Sequence, residues 1–259
     1  MRNVLAVCRR ELLSFFVLPV AYFVITGFIL LAGYFFFNLL GTFNVLLSRY
    51  SMMRFGGLPP QLNLNQFVVE GYYHTLLVVL VFMIPLLTMR LVAEERRRGT
   101  FELLVTSPLS VAQIVLGKYL GVSVIIGVMM LAVLCFPLLL CLFSSPAPEI
   151  YPILSGFLGL LLAGLMFAAV SMGVSAFTEN QIVAGVSGMV VLLLLYVIHA
   201  PAESLGGTAG EVLMYLSPVM QVRDMLQGVI SLKALVYFAS FIVLGLFFSQ
   251  RALESYRWR

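Results

Sequence analysis

The densest chemistry in the sequence lies in one run, Ala93-Glu94-Glu95-Arg96-Arg97-Arg98-Gly99-Thr100-Phe101-Glu102-Leu103-Leu104. A charge cluster this concentrated, set between apolar stretches, is a place where a soluble partner can grip an otherwise lipid-soluble chain. Gly99-Thr100 allows a turn, and Thr100 is suited to cap a short helix from Phe101 to Thr106. Glu102 in the first turn suits the positive helix end, and Ser107-Pro108 stops the helix. Phe101, Leu103, Leu104 and Val105 are then available to a partner's groove. Ser110-Val111-Ala112-Gln113 has the spacing of a capping box and launches the next helix. A stop-transfer signal needs only the arginines; the glutamates, the Gly-Thr break and the apolar short helix exceed that need.

Other chemistry is missing from the sequence. No G-x-x-x-x-G-K-[ST] phosphate loop occurs: Gly117-Lys118 is followed by tyrosine and has no glycine five positions before it. The two histidines, His74 and His199, are far apart, so no closely spaced zinc ligands stand on one helix, and no Ser-His-Asp arrangement is suggested. The three cysteines give no disulfide framework and read as packing residues. The sequence therefore predicts no enzyme activity, no metal and no cofactor in this chain. Its apolar stretches also lack the midplane Asp, Glu or His that ion-coupled carriers need. Lys118 sits near a span end, where it can snorkel to the surface. If the protein moves a cargo, its energy comes from elsewhere.

The elements that hold this charged run are membrane helices. Hydrophobic residues make up 62% of the chain and charged residues 10%, against roughly 25% charged in a soluble domain. A bilayer core about 30 Å thick takes about 20 apolar residues per helix. The sequence predicts six spans, near Phe15–Phe37, Thr75–Met89, Tyr119–Phe143, Ile153–Phe177, Ile182–Ile198 and Ala234–Ser249. The stretches are uniformly apolar, which excludes the alternating pattern of a β-barrel. The fold class expected is an all-α membrane protein, a single transmembrane domain over residues 1–259. The net charge of +4 is not a nucleic-acid signal. With both termini inside, eleven of the fifteen lysines and arginines fall on the cytoplasmic side, and only Arg49, Arg54, Arg223 and Lys233 outside. The basic N-terminal head with its long apolar run reads as an uncleaved first span.

Four further segments stand out. Residues 1–14 form an amphipathic helix for the inner leaflet, with Val4, Leu5, Cys8 and Leu12 on one face and Arg2, Asn3, Arg9 and Arg10 largely on the other. Residues 38–71 form a long external loop containing Gly56-Gly57-Leu58-Pro59-Pro60; Glu70 and His74 follow at the outer mouth of the second span. Thr178-Glu179-Asn180-Gln181 is a short internal turn. The small residues around it, Ser171, Gly173, Ser175, Gly185 and Gly188, let the fourth and fifth spans approach. Residues 200–232 form short external helices, one ending at Ser217-Pro218 and a second stopping at Gly228.

The charged run with Ser107-Pro108 behind it resembles the cytoplasmic coupling-helix region of ABC-2 type permeases, the membrane subunits of a class of ATP-binding-cassette exporters. The likeness continues through Arg10-Glu11-Leu12 leading to Pro19-Val20-Ala21-Tyr22, through Ile84-Pro85-Leu86-Leu87-Thr88-Met89-Arg90, through Thr178-Glu179-Asn180-Gln181, and through Ser217-Pro218, Gly228-Val229-Ile230 and Tyr237. It is nearest the gliding-motility-type subgroup; Ser231-Leu232-Lys233 departs from it, being less acidic or polar than expected. The resemblance implies a multi-pass permease in the inner membrane of a bacterium. It implies a homodimer or a heterodimer with a related permease, which works with a separate ATPase subunit that binds ATP and Mg2+; an auxiliary membrane or periplasmic subunit is an optional further partner. Glu94, Glu95, Arg96, Arg97, Gly99, Thr100, Phe101, Glu102, Leu103 and Leu104 are then the coupling residues, within a loop of residues 93–107. Thr178, Glu179, Asn180 and Gln181 form a second contact, and Arg9, Arg10 and Glu11 mark the interface helix. The competing reading is a non-transporting membrane anchor that transmits force for an ATPase complex. The apolar spans lean towards a lipid-linked or amphipathic cargo, with a polymer as the other option.

Overall fold

A computed structural model describes residues 2–17, 19–52, 63–97, 109–144, 147–201 and 207–257. Every regular element among them is helical. The helices are α1 (Arg2–Val17), α2 (Pro19–Met52), α3 (Gly71–Thr88), α4 (Arg90–Arg97), α5 (Val111–Phe143), α6 (Ile150–Ser175), α7 (Gln181–Val197), α8 (Gly207–Leu216), α9 (Pro218–Leu226) and α10 (Leu232–Arg257). A π-helical turn, Asn65–Glu70, runs directly into α3. Six stretches are long and apolar enough to cross a membrane, as the sequence predicts: Ala21–Tyr50, Asn65–Glu94, Val111–Phe143, Ile150–Ser175, Gln181–Pro201 and Leu232–Ser255.

Burial ranks these spans. The apolar windows of the second and fourth are 67% and 61% buried, against 22% for the first and fifth, so α3 and α6 form the centre. The composition of α6 explains why it can be central. Gly156, Gly159, Ala163, Gly164, Ala168, Ala169 and Gly173 are all buried along it, and small residues let membrane helices approach closely. The closest approach is to α10. A Cβ on Gly245 would lie 2.6 Å from both the carbonyl carbon and the oxygen of Ala169.

The first span is longer than predicted, and the external loop is correspondingly shorter. α2 runs 34 residues, about 50 Å, and so carries helix through residues 38–52 of the stretch read as loop. Hydropathy falls off there, but backbone hydrogen bonding does not. The hydroxyls of Thr42 and Ser48 donate back to the carbonyls of Asn38 and Asn44 at 2.9 and 2.7 Å.

Tyrosine hydroxyls tie helices together through backbone carbonyls. Pro137 lies inside α5 and has no N–H for the carbonyl of Val133; the Tyr72 hydroxyl donates to that oxygen at 3.3 Å. Tyr73 donates to the carbonyl of Ile153 at 3.0 Å. At the end of α8, Tyr237 donates to the Leu216 carbonyl at 2.7 Å, and Gln221 Nε2 donates to that of Tyr215 at 3.0 Å. The last carbonyls of α8 thus find partners, and α8 is tied to α9 and α10. These short helices end where predicted, at Ser217-Pro218 and before Gly228, whose φ is +92°.

Candidate functional site

The root of the charged run is α4, which follows α3 after a single turn residue, Met89. Its apolar residues Leu91, Val92 and Ala93 are buried, and Arg96, four and three positions after Val92 and Ala93, shares their side. Arg90 grips Glu94 one turn later through two bonds, Nε to Oε2 at 3.0 Å and Nη2 to Oε1 at 3.4 Å. Arg96 reaches across to another element. Its Nη1 donates to the carbonyl of Ala176 at 2.7 Å and its Nη2 to the Glu179 carboxylate at 3.4 Å. Ala176 caps the C-terminus of α6, where helix carbonyls need donors and the dipole favours a cation. The Arg96 side chain is 3% exposed and that of Glu179 67%, so the bond to the Ala176 carbonyl is the shielded part of this tie.

The turn between α6 and α7 is itself ordered by local bonds. Asn180 accepts from the backbone N–H of Ile182 at 2.9 Å as the N-cap of α7, and its own N–H donates to Thr178 Oγ1 at 3.2 Å. Arg97, Glu179, Asn180, Gln181 and Ile182 line a recess of about 600 Å³ beside it. The structure therefore brings together Glu94, Arg96, Arg97 and the 178–181 turn. Glu95 lies on α4. Gly99, Thr100, Phe101, Glu102, Leu103 and Leu104, and with them the predicted coupling helix, lie outside the described residues. On their far side the predicted capping box is present: Ser110 Oγ accepts from Gln113 N at 3.3 Å, and Ser110 N donates to Gln113 Oε1 at 3.4 Å.

α1 covers the residues read as an amphipathic helix. The face of α1 that is buried is Val7, Cys8, Glu11 and Phe15, whereas Leu5 and Leu13 are exposed. The cause is α5, against which α1 packs. Gly117 and Gly121 open a slot in α5 so close that added Cβ atoms would lie 2.6 Å from Val7 Cβ and 2.9 Å from Glu11 Cβ. Lys118 does not snorkel. It is 2% exposed, and its Nζ donates to Glu11 Oε1 at 2.8 Å, where Arg10 Nη2 also donates at 3.2 Å. Arg9 stays exposed. Sequence reasoning missed Lys118 as the partner of Glu11. The available signal was a lysine between two glycines four apart, facing a single glutamate in an otherwise basic helix.

Among the small residues around the α6–α7 turn, Gly188 and Ser171 make the predicted approach of the fourth and fifth spans, and Gly173 and Gly185 meet other partners. Gly173 faces Gly245 of α10, and Gly185 faces Met89. Gly188 meets Ser171 Oγ, with Pro85 behind it. Thr88 Oγ1 donates to Ser171 Oγ at 2.7 Å, and Ser175 Oγ donates to the Met89 carbonyl at 3.2 Å. A polar seam thus holds the lower end of α3, directly above α4, against α6.

A model of the ABC-2 family transporter protein matches residues 59–249. The chain belongs to the ABC-2 transporter family. Six apolar helices and this membership make it a multi-pass membrane protein with a permease role, and membership implies pairing with an ATP-binding-cassette subunit. No curated protein matches the chain. The family match takes in α4, the charged run and the α6–α7 turn but stops short of α1, so the Glu11–Lys118 pair joins a segment outside the match to one inside it.

The tie made by Arg96 can be tested directly. Arg96→Ala removes a nearly buried charge-assisted bond to a helix-end carbonyl, worth about 1.5–3 kcal/mol. The expected result is local: protease or hydrogen-exchange protection of α4 falls by about tenfold or more while that of α3 is unchanged. Arg97→Ala, at an exposed position, leaves protection at the wild-type level.

Proposed function

We propose that the chain is the permease subunit of an ABC-2 type exporter, driven by ATP hydrolysis on a separate ATP-binding-cassette subunit that holds ATP and Mg2+. The chain itself carries no enzyme activity. Both termini face the cytoplasm, the membrane is the inner membrane of a bacterium, and two permease chains, identical or related, form the working unit. The gliding-motility-type subgroup is the nearest by resemblance.

The observation that supports this reading is how the charged segment is anchored. Residues 98–108 are bounded on one side by α4, which Arg96 fixes to the α6–α7 turn. On the other side stands Ser110, which caps α5, and α5 is locked to α1 by Glu11–Lys118. A load applied by a partner to that segment is delivered to two helix pairs at once. Movement of one relative to the other is what alternation between inward and outward states requires. Arg90–Glu94 stiffens the short lever that carries the load.

The test is the double variant Glu94→Ala, Glu95→Ala in the reconstituted complex. Insertion and assembly persist, while transport per ATP hydrolysed falls about tenfold or more, since truncating charges at an interface costs about 2–5 kcal/mol. Wild-type coupling in that variant reduces the segment to a topology signal.

A further inference from the structure

α1 meets the bundle with one face and leaves another uncovered. Val7, Cys8, Glu11 and Phe15 are buried, with Val7 seated on Gly117 and Glu11 on Gly121, inside the apolar span Val111–Phe143. α1 ends two positions before α2, whose apolar stretch begins at Ala21. α1 therefore lies at the membrane surface, on the side from which α2 and α5 start.

The face turned away from α5 has its own pattern. At about 100° per residue, Arg2, Leu5, Arg9, Leu13 and Phe16 fall within an arc of about 80° on the far side of the helix, and no other residue of α1 shares that arc. All of them are exposed. The single acidic residue of α1, Glu11, is on the buried face and is held by Lys118. Arg2 and Arg9 make no ion pair or hydrogen bond among the described residues. Each is followed within a turn by an exposed leucine, and Phe16 closes the row at the end nearest the first span.

A row that alternates free guanidinium groups with large apolar side chains suits the boundary between lipid headgroups and acyl chains. Leucine and phenylalanine enter the acyl edge, while a guanidinium donates paired N–H bonds to phosphate oxygens. A zwitterionic headgroup brings an ammonium of its own, which offsets that attraction; a headgroup with net negative charge does not. We propose that this face of α1 binds the headgroups of anionic phospholipids. The Glu11–Lys118 pair and the glycine slot fix α1 on α5, so the bound headgroups occupy a set place against the bundle. The site stands on the surface of α1 and does not rest on the exporter reading.

The test uses the full chain in vesicles of phosphatidylcholine mixed with phosphatidylglycerol, one lipid at a time carrying brominated acyl chains that quench tryptophan. Trp258→Phe removes the one tryptophan of the sequence, and Val17→Trp places a reporter at an exposed position beside the arc. Quenching there shows phosphatidylglycerol bound about tenfold more tightly than phosphatidylcholine at low salt, the order expected for two basic residues near a charged surface. Arg2→Gln with Arg9→Gln, both exposed and unpaired so that folding is not at stake, brings the ratio to about one. A second reporter, Phe143→Trp at the far end of α5, shows no preference in either background. A ratio near unity at Val17→Trp, a preference that survives the glutamine pair, or the same preference at both reporters overturns the proposal. So does a Val17→Trp reporter that no brominated lipid quenches, which would mean that a protein, such as a second copy of the chain, covers this face.

Discussion

Lys118→Met should destabilise the folded chain by about 3 kcal/mol, near the low end of the range for breaking a buried ion pair. The variant leaves the Glu11 carboxylate buried against α5 without its closest cation. Arg10 still donates to the same oxygen, but from a side chain that is 52% exposed, and this keeps the loss from being larger. Removing both charges should recover most of it. Glu11→Leu combined with Lys118→Met replaces an ion pair by apolar groups, a change that is often neutral or stabilising. Equilibrium unfolding in mixed detergent micelles over the double-mutant cycle measures this. A Lys118→Met variant of wild-type stability, with strictly additive double-mutant behaviour, is incompatible with the described pair.

The second large effect is expected at the crossing of α6 and α10. Gly245→Ala places a methyl 2.6 Å from the Ala169 carbonyl and 2.9 Å from the backbone nitrogen of Val170. These are backbone atoms, so no side-chain rotation relieves the overlap, and the two helices must separate. Overpacking of this kind costs about 1–3 kcal/mol, and Gly245→Leu should exceed the alanine variant. Gly127→Ala is the control: nothing lies within 4 Å of its Cβ position, and its thermal unfolding should match or slightly exceed wild type. Equal melting temperatures for Gly245→Ala and Gly127→Ala would mean that the two helices do not cross as closely as described.

The six spans were legible because lipid imposes one simple demand, about 20 apolar residues per crossing, and this chain meets it six times. The capping box at Ser110 and the helix stop at Ser217-Pro218 were legible because these residues act on their own neighbours. The overhang of α2 was not, since hydropathy reports the preferred solvent and a helix needs only its own backbone bonds to continue past the bilayer. Pairings between distant segments were also hidden. Three successive arginines look alike in a sequence, and only the fold distinguishes Arg96, nearly buried on the end of α6, from the exposed Arg97. Likewise, snorkelling was the natural expectation for Lys118, because its partner lies on a helix more than a hundred positions earlier.

The bond from Tyr72 to the Val133 carbonyl has a consequence for inheritance. The hydroxyl is needed because Pro137 leaves that oxygen without its helical donor. A lineage that lost the proline would regain the backbone bond, and phenylalanine at position 72 would then carry no penalty. A lineage that kept the proline while losing the hydroxyl would bury a bare carbonyl in the middle of the bundle. The two positions should therefore change together across relatives, tyrosine with proline and phenylalanine without it, as a single heritable character split between two helices.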